Sequence, residues 1–224
     1  MNCLCYNCPR LNCLCLCNIA PQWATAAKLT TSISDYTAKL GVSPERAYQL
    51  YKSHGTCLKG LLAEGLIDKD TGAEDFLLAV HLIDYSDISL DPVLQATLER
   101  LRLPTWIFTA STREHAGRCL DKLGFSGIPF RGIVDTRTCG LETKHSDASF
   151  QAAMVAAGVS DPAGCVLCDD SVKNIQAAKK MGWTTVLVGK VDRDTGAPVQ
   201  CAAADAHIET LHSLPDVLPE LFEP

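Results

Sequence analysis

The chain has 224 residues, 47% of them hydrophobic and 21% charged, with a formal net charge of −6. This suits one generous globular domain or a core carrying a smaller inserted unit, and the acidic balance argues against a nucleic-acid footprint, which needs a basic face. No stretch reaches the ~18 apolar residues of a membrane span, while a small phosphorylated ligand stays compatible with net negative charge, because local lysines, Mg²⁺ and backbone N–H groups govern its binding.

Six of the twelve cysteines fall within Cys3–Cys17. Thiolates in that density could take zinc or copper(I), but the spacing fits no standard zinc pattern. Met1–Pro9 also lacks the basic residues of a secretory signal. Residues 1–20 are therefore set apart as an atypical Cys-rich segment. Cys57, Cys119, Cys139, Cys165, Cys168 and Cys201 are scattered singly, as small buried hydrophobes of a reducing compartment would be. The expected location is the cytoplasm or nucleus.

Taken in order, Lys28–Leu40 is amphipathic, with Leu29, Ile33, Tyr36 and Leu40 on one face and Gly41 as its stop. Ser43-Pro44-Glu45 starts a second helix, serine as N-cap and proline at the first helical position. Leu58–Glu64 and Thr71–Val80 read as two more helices, so residues 21–84 form an all-helical cap. Asp91-Pro92 then opens a helix, and the pattern alternates through residues 85–224: strand at Pro104–Thr109, helix at Glu114–Leu123, strand at Gly132–Val134, helix at Ser146–Ala157. Strand Cys165–Cys168, helix Val172–Met181, strand Thr184–Val188, a short strand at Ala206–Ile208 and a helical tail at Leu214–Leu221 complete it. Such alternation implies an α/β fold: a parallel Rossmann-like sheet with helices on both faces, preceded by an N-terminal helical cap.

Polar residues collect at the strand ends, the ligand edge of such sheets. Thr109-Ala110-Ser111 follows one strand, Lys144 precedes a helix, and Asp169-Asp170-Ser171 with Asn174 follows another. Adjacent carboxylates repel and are costly to desolvate, so a cation such as Mg²⁺ would explain them. A helix N-cap at Asp170 or Ser171 would explain them equally well. Together the three groups make sense for phosphoryl transfer: a hydroxyl and N–H groups hold phosphate oxygens, a lysine offsets charge, and acids hold the metal.

The set resembles the haloacid dehalogenase superfamily of phosphatases. Ile107-Phe108-Thr109-Ala110-Ser111 is similar to its second motif, Lys144 to its third, and Val166–Ile175 to its fourth. Phe108-Thr109, His115-Ala116-Gly117-Arg118-Cys119-Leu120 and Leu123-Gly124, with the cap stretches Leu40–Glu45 and Tyr51–Leu61, resemble the pyrimidine 5′-nucleotidase-like branch. The resemblance implies Mg²⁺-dependent hydrolysis of a phosphomonoester, a nucleoside monophosphate being the expected partner. It assigns phosphate binding to Thr109, Ala110, Ser111 and Lys144, with Thr109 and Lys144 as the catalytic positions, and metal binding to Asp170 with Asp169 and Asn174. His54, Gly55 and Lys59 would reach the substrate from the cap. His145, where the family commonly has proline, is expected to alter only a local turn.

One part is missing. The family attacks phosphate with the first aspartate of an Asp-x-Asp-x-Thr motif on the first strand, and this chain has no Asp or Glu before Asp35. Asp68-Lys69-Asp70-Thr71 and Asp192-Arg193-Asp194-Thr195 do not follow the apolar run that the motif requires. The sequence thus implies a chain that hydrolyses phosphate esters poorly or not at all and holds Mg²⁺ weakly. It is compatible with an enzyme whose first strand is lost or replaced, with a non-catalytic relative binding a phosphometabolite or a protein, and with a thiolate metal module at Cys3–Cys17.

Overall fold

The computed structural model describes residues 13–16, 22–192 and 196–222. In chain order the elements are β1 (Cys13–Leu16), α1 (Gln22–Lys39), α2 (Pro44–His54), α3 (Cys57–Ala63), α4 (Thr71–Val80), α5 (Pro92–Glu99), β2 (Thr105–Phe108), α6 (Arg113–Leu123) and β3 (Gly132–Val134). There follow α7 (Asp147–Ala157), β4 (Cys165–Asp169), α8 (Val172–Lys180), β5 (Thr184–Val188), β6 (Ala206–Ile208) and α9 (Leu214–Val217).

The strands form one parallel sheet in the order β3-β2-β1-β4-β5-β6. This is the Rossmann-like α/β architecture expected from the strand–helix alternation. Side chains alternate across a strand, and here both faces are covered. Leu14, Leu16, Ile107, Val166 and Val186 face α5, α6 and α9, which contribute Leu94, Leu98, Leu123 and Leu214. Cys13, Cys15, Phe108, Leu167 and Leu187 face α7 and α8, which contribute Phe150, Met154, Ile175 and Ala178. Burial on two faces explains why the strands read as continuous apolar runs rather than as alternating ones.

Cys13–Leu16, within the Cys-rich segment 1–20, form the strand on which both halves of the sheet pair. The physical reason is that a buried thiol is a small hydrophobe, so Cys-Leu-Cys-Leu fills two faces as Val-Leu-Val-Leu would. All four residues are at most 1% exposed. Cys13 and Cys165 are register partners, their sulfurs 3.4 Å apart. Cys3, Cys5, Cys8 and Cys17 lie outside the described residues.

The helices α1–α4 have a separate core of Val42, Ala47, Leu50, Leu61, Phe76 and Val80. The Ser43 hydroxyl caps α2 by accepting from the Arg46 N–H, and the left-handed Gly55 ends it. Asp68, half of one candidate Asp-x-Asp, accepts from the Asp70, Thr71 and Gly72 N–H groups and so serves as a turn at the start of α4.

Candidate functional site

β1 ends at Leu16, level with Ile107 on one neighbour and Cys168 on the other. Just beyond that level β2 gives way to Thr109, and β4 ends on Asp169 with Asp170 after it, so these residues share one sheet edge on either side of β1.

Asp169 is completely buried and saturated with donors. Lys144 Nζ lies 2.7 Å from Oδ2, the Ser171 N–H donates to Oδ1 at 2.8 Å, and Asn174 Nδ2 sits 3.1 Å from both oxygens. Burial pushes the Asp169 carboxyl up, but the Lys144 charge and these hydrogen bonds outweigh it and hold the group below its ordinary value. Lys144 is itself 8% exposed and stands 5.1 Å from the centroid of the Phe108 ring, the residue before Thr109. Ser171 occupies the N-cap position of α8 without a side-chain capping bond. The Ser171 hydroxyl therefore makes no cap, while the backbone N–H of the same residue is bound by the Asp169 carboxylate. Asp170 is partly exposed at the same edge.

The turn after β2 is equally determined. The Thr109 N–H donates to the Val134 carbonyl at 2.9 Å, and its hydroxyl oxygen accepts from the Ser111 N–H at 3.0 Å. Ala110 is exposed. Thr112 then caps α6 through the His115 N–H. A hydroxyl turn leading into a helix N-terminus, beside a buried lysine, is suited to holding an anion.

Asp135 was not foreseen. It is fully buried at the end of β3, where it accepts from the Arg113 N–H at 3.2 Å and from the Thr138 N–H and hydroxyl at 2.9 and 2.7 Å. It thereby ties the start of α6 to the loop leading to Lys144. Its signal was present: Ile133-Val134-Asp135 is an apolar run ending in a carboxylate, as Leu167-Cys168-Asp169 is.

Of the cap positions, Lys59 forms an ion pair with Glu142, two residues before Lys144, and Gly55 lies against Thr143 and His145. His145 therefore does more than shape a local turn.

The expected metal donors here are the carboxylates of Asp169 and Asp170 and the Asn174 amide. Both Asp169 oxygens are engaged, Asn174 turns its amide hydrogens toward them, and among the described residues no group of three His, Cys, Asp or Glu side chains is placed to hold a metal. The stretch after β1, Cys17-Asn18-Ile19-Ala20-Pro21, has no carboxylate to add. No helix among the described residues is long and apolar enough to cross a membrane.

Fold and edge geometry together define an α/β protein with a helical cap over an anion-suited strand edge. The family of haloacid dehalogenase-like hydrolases matches residues 17–182, and the chain belongs to it. Phosphate metabolism protein 8 of Saccharomyces cerevisiae is 29% identical over 168 residues, covering 66% of this chain and 51% of the yeast protein. The chain thus spans about half the length of that relative. Among solved structures, CbbY from Rhodobacter sphaeroides in complex with phosphate has a TM-score of 0.62 at 16% identity, covering 91% of this chain and 96% of that one. L-2-haloacid dehalogenase from Xanthobacter autotrophicus has a TM-score of 0.59 at 12% identity, with 94% and 99% covered. At these identities the two structures share the fold.

Proposed function

We propose that this chain binds a small phosphorylated metabolite, a nucleoside monophosphate of the pyrimidine 5′-nucleotidase lineage first among them, and hydrolyses it poorly or not at all. One observation carries the reading: Lys144 is held 2.7 Å from Asp169, beside the Thr109 turn, at an edge to which the sequence brings no carboxylate before Asp35. In this reading the Thr109 and Ser111 hydroxyls and the Ala110 N–H receive phosphate oxygens and Lys144 offsets their charge. Asp169 is a positioning residue, holding the ammonium in place together with Asn174.

The inherited chemistry of the lineage is Mg²⁺-dependent phosphomonoester hydrolysis. Here Mg²⁺ would meet Asp170 with Asp169 and Asn174 behind it, a shell too poor for tight binding. A cysteine or asparagine after β1 could not replace both a nucleophilic carboxylate and a general acid. The name of the yeast relative supports a role connected with phosphate, and a complex of CbbY with phosphate supports a small phosphorylated ligand. The nucleotide preference rests on the Phe108–Gly124 and Leu40–Leu61 stretches. The scattered placement of Cys57, Cys119, Cys139, Cys165, Cys168 and Cys201 along the chain supports a reducing compartment, the cytoplasm or nucleus.

Titration calorimetry of the full chain with inorganic phosphate and a nucleoside monophosphate panel, with and without Mg²⁺, tests this. The expected result is measurable affinity, weakened in Lys144→Ala, without phosphate release. Robust Mg²⁺-dependent turnover by the unaltered chain would overturn it.

A further inference from the structure

The loop that delivers Lys144 is fastened to the cap on both sides of that residue. Leu141 packs against the cap core with φ of +66°, the one positive value at a non-glycine among the described residues. A branched side chain avoids that region unless its surroundings impose it. Glu142 pairs with Lys59 of α3. Thr143 and His145 then meet Gly55, the turn between α2 and α3. A Cβ at Gly55 would stand 2.7 Å from His145 Cε1 and 2.8 Å from Thr143 Cγ2, closer than real Cβ atoms come to anything. Lys144, between those two residues, turns the other way to Asp169.

We propose that Gly55 is a positioning residue of the anion site: its lack of a side chain lets the cap turn press on Thr143 and His145 and thereby sets the Lys144 ammonium over the strand edge. Cap docking and assembly of the phosphate cradle are then a single event. The inference rests on the reading of Lys144 as the phosphate cation.

Two glycines allow a controlled test. Gly55 and Gly65 both have left-handed φ, +85° and +66°, so alanine strains the backbone at either. Only at Gly55 does the new methyl strike the Lys144 loop, since nothing lies within 4 Å of a Cβ at Gly65. Full-length Gly55→Ala, Gly65→Ala and the triple variant Gly55→Ala/Thr143→Ser/His145→Ala would be titrated with inorganic phosphate. Amide hydrogen exchange would be followed at Leu141, Glu142 and Ser146, whose N–H groups bond within the loop. Expected are a loss of phosphate affinity of at least about tenfold in Gly55→Ala, with faster loop exchange, near-native behaviour of Gly65→Ala, and recovery in the triple variant, where the struck atoms are gone. A folded Gly55→Ala with native affinity and exchange overturns the proposal, as does an equal loss in Gly65→Ala. If the unaltered chain binds no phosphate, the functional reading fails, and the exchange comparison alone decides the positioning role.

Discussion

At the scale of single residues, the Lys144–Asp169 pair dominates. A carboxylate with no exposure is tolerable only while its partners remain. Lys144→Ala should therefore cost stability as well as phosphate affinity, about 3–5 kcal/mol in denaturant unfolding, because it leaves a buried charge unpaired. Replacing both partners together, as in Lys144→Met/Asp169→Leu, should cost less than Lys144→Ala alone. Equal losses in the single and double variants would show that Asp169 finds other compensation. The placement of Thr109, Lys144 and Asp169-Asp170 at strand or helix boundaries is legible in the sequence because each interrupts or follows an apolar run. What could not be read was the pairing. Nothing in a chain order that separates Lys144 from Asp169 says that the lysine and Asn174 would occupy the carboxylate oxygens a metal was expected to use. Asp135 escaped because a lone acid after a three-residue strand looks like any polar loop start.

At the scale of elements, the helices and five of the six strands follow from periodicity, N-caps and glycine stops, and their observed bounds fall within a few residues of expectation apart from the longer start of α1. β1 did not, because β-branched and aromatic residues carry the strand signal, and a Cys-Leu repeat inside a Cys-rich stretch has neither. The return from the cap to the core also holds a cluster that no local pattern announces. His81 and His115 stack at 4.9 Å, the Tyr85 hydroxyl lies 2.8 Å from His115 Nδ1, and the Arg118 guanidinium covers the Tyr85 ring. Burial, followed by the His81 ring and Arg118, pushes the His115 imidazole down to about 4, and burial lowers His81 as well. Both rings are then neutral in the folded chain at pH 7. An unfolded chain takes up protons near the ordinary 6.5, so stability is fully present above that value and is lost as pH falls toward about 4. Thermal melts between pH 7 and 4 should show this decline, and His115→Gln should flatten it. A slope unchanged in His115→Gln would assign the decline to other groups.

At the scale of the whole molecule, the cap is tied to the core by charge as well as by the Gly55 contact. Arg137 reaches Glu74 of α4 at 2.6 and 2.9 Å and Glu114 of α6 at 2.9 Å, and Lys28 of α1 bridges Asp84 and Asp87 on the return segment. In the proposed reading the chain carries the scaffold, the cap and half of a site, and residues 17–21 after β1 contain no Asp or Glu. Supplying acids there makes a direct test. Cys17→Asp/Ile19→Asp should gain a Mg²⁺-dependent rise in melting temperature and measurable phosphomonoester turnover, while the unaltered chain should melt at the same temperature in Mg²⁺ and in chelator. If the doubly altered chain gains neither, the deficit lies deeper than two carboxylates.

The position of β1 has a consequence for the order of assembly. Its partners on β4 lie 152 residues downstream, and its only other sheet neighbour, β2, is itself made after the whole cap. Within this chain β1 is thus made long before either of the strands that flank it. The cap, whose contacts are local, can form while Cys13–Leu16 still waits with bare backbone and reactive thiols. Closure of such distant parallel pairings is slow, so newly made chains should pass through a thiol-accessible stage that ends only when the segment carrying Asp169 has been synthesised and docked.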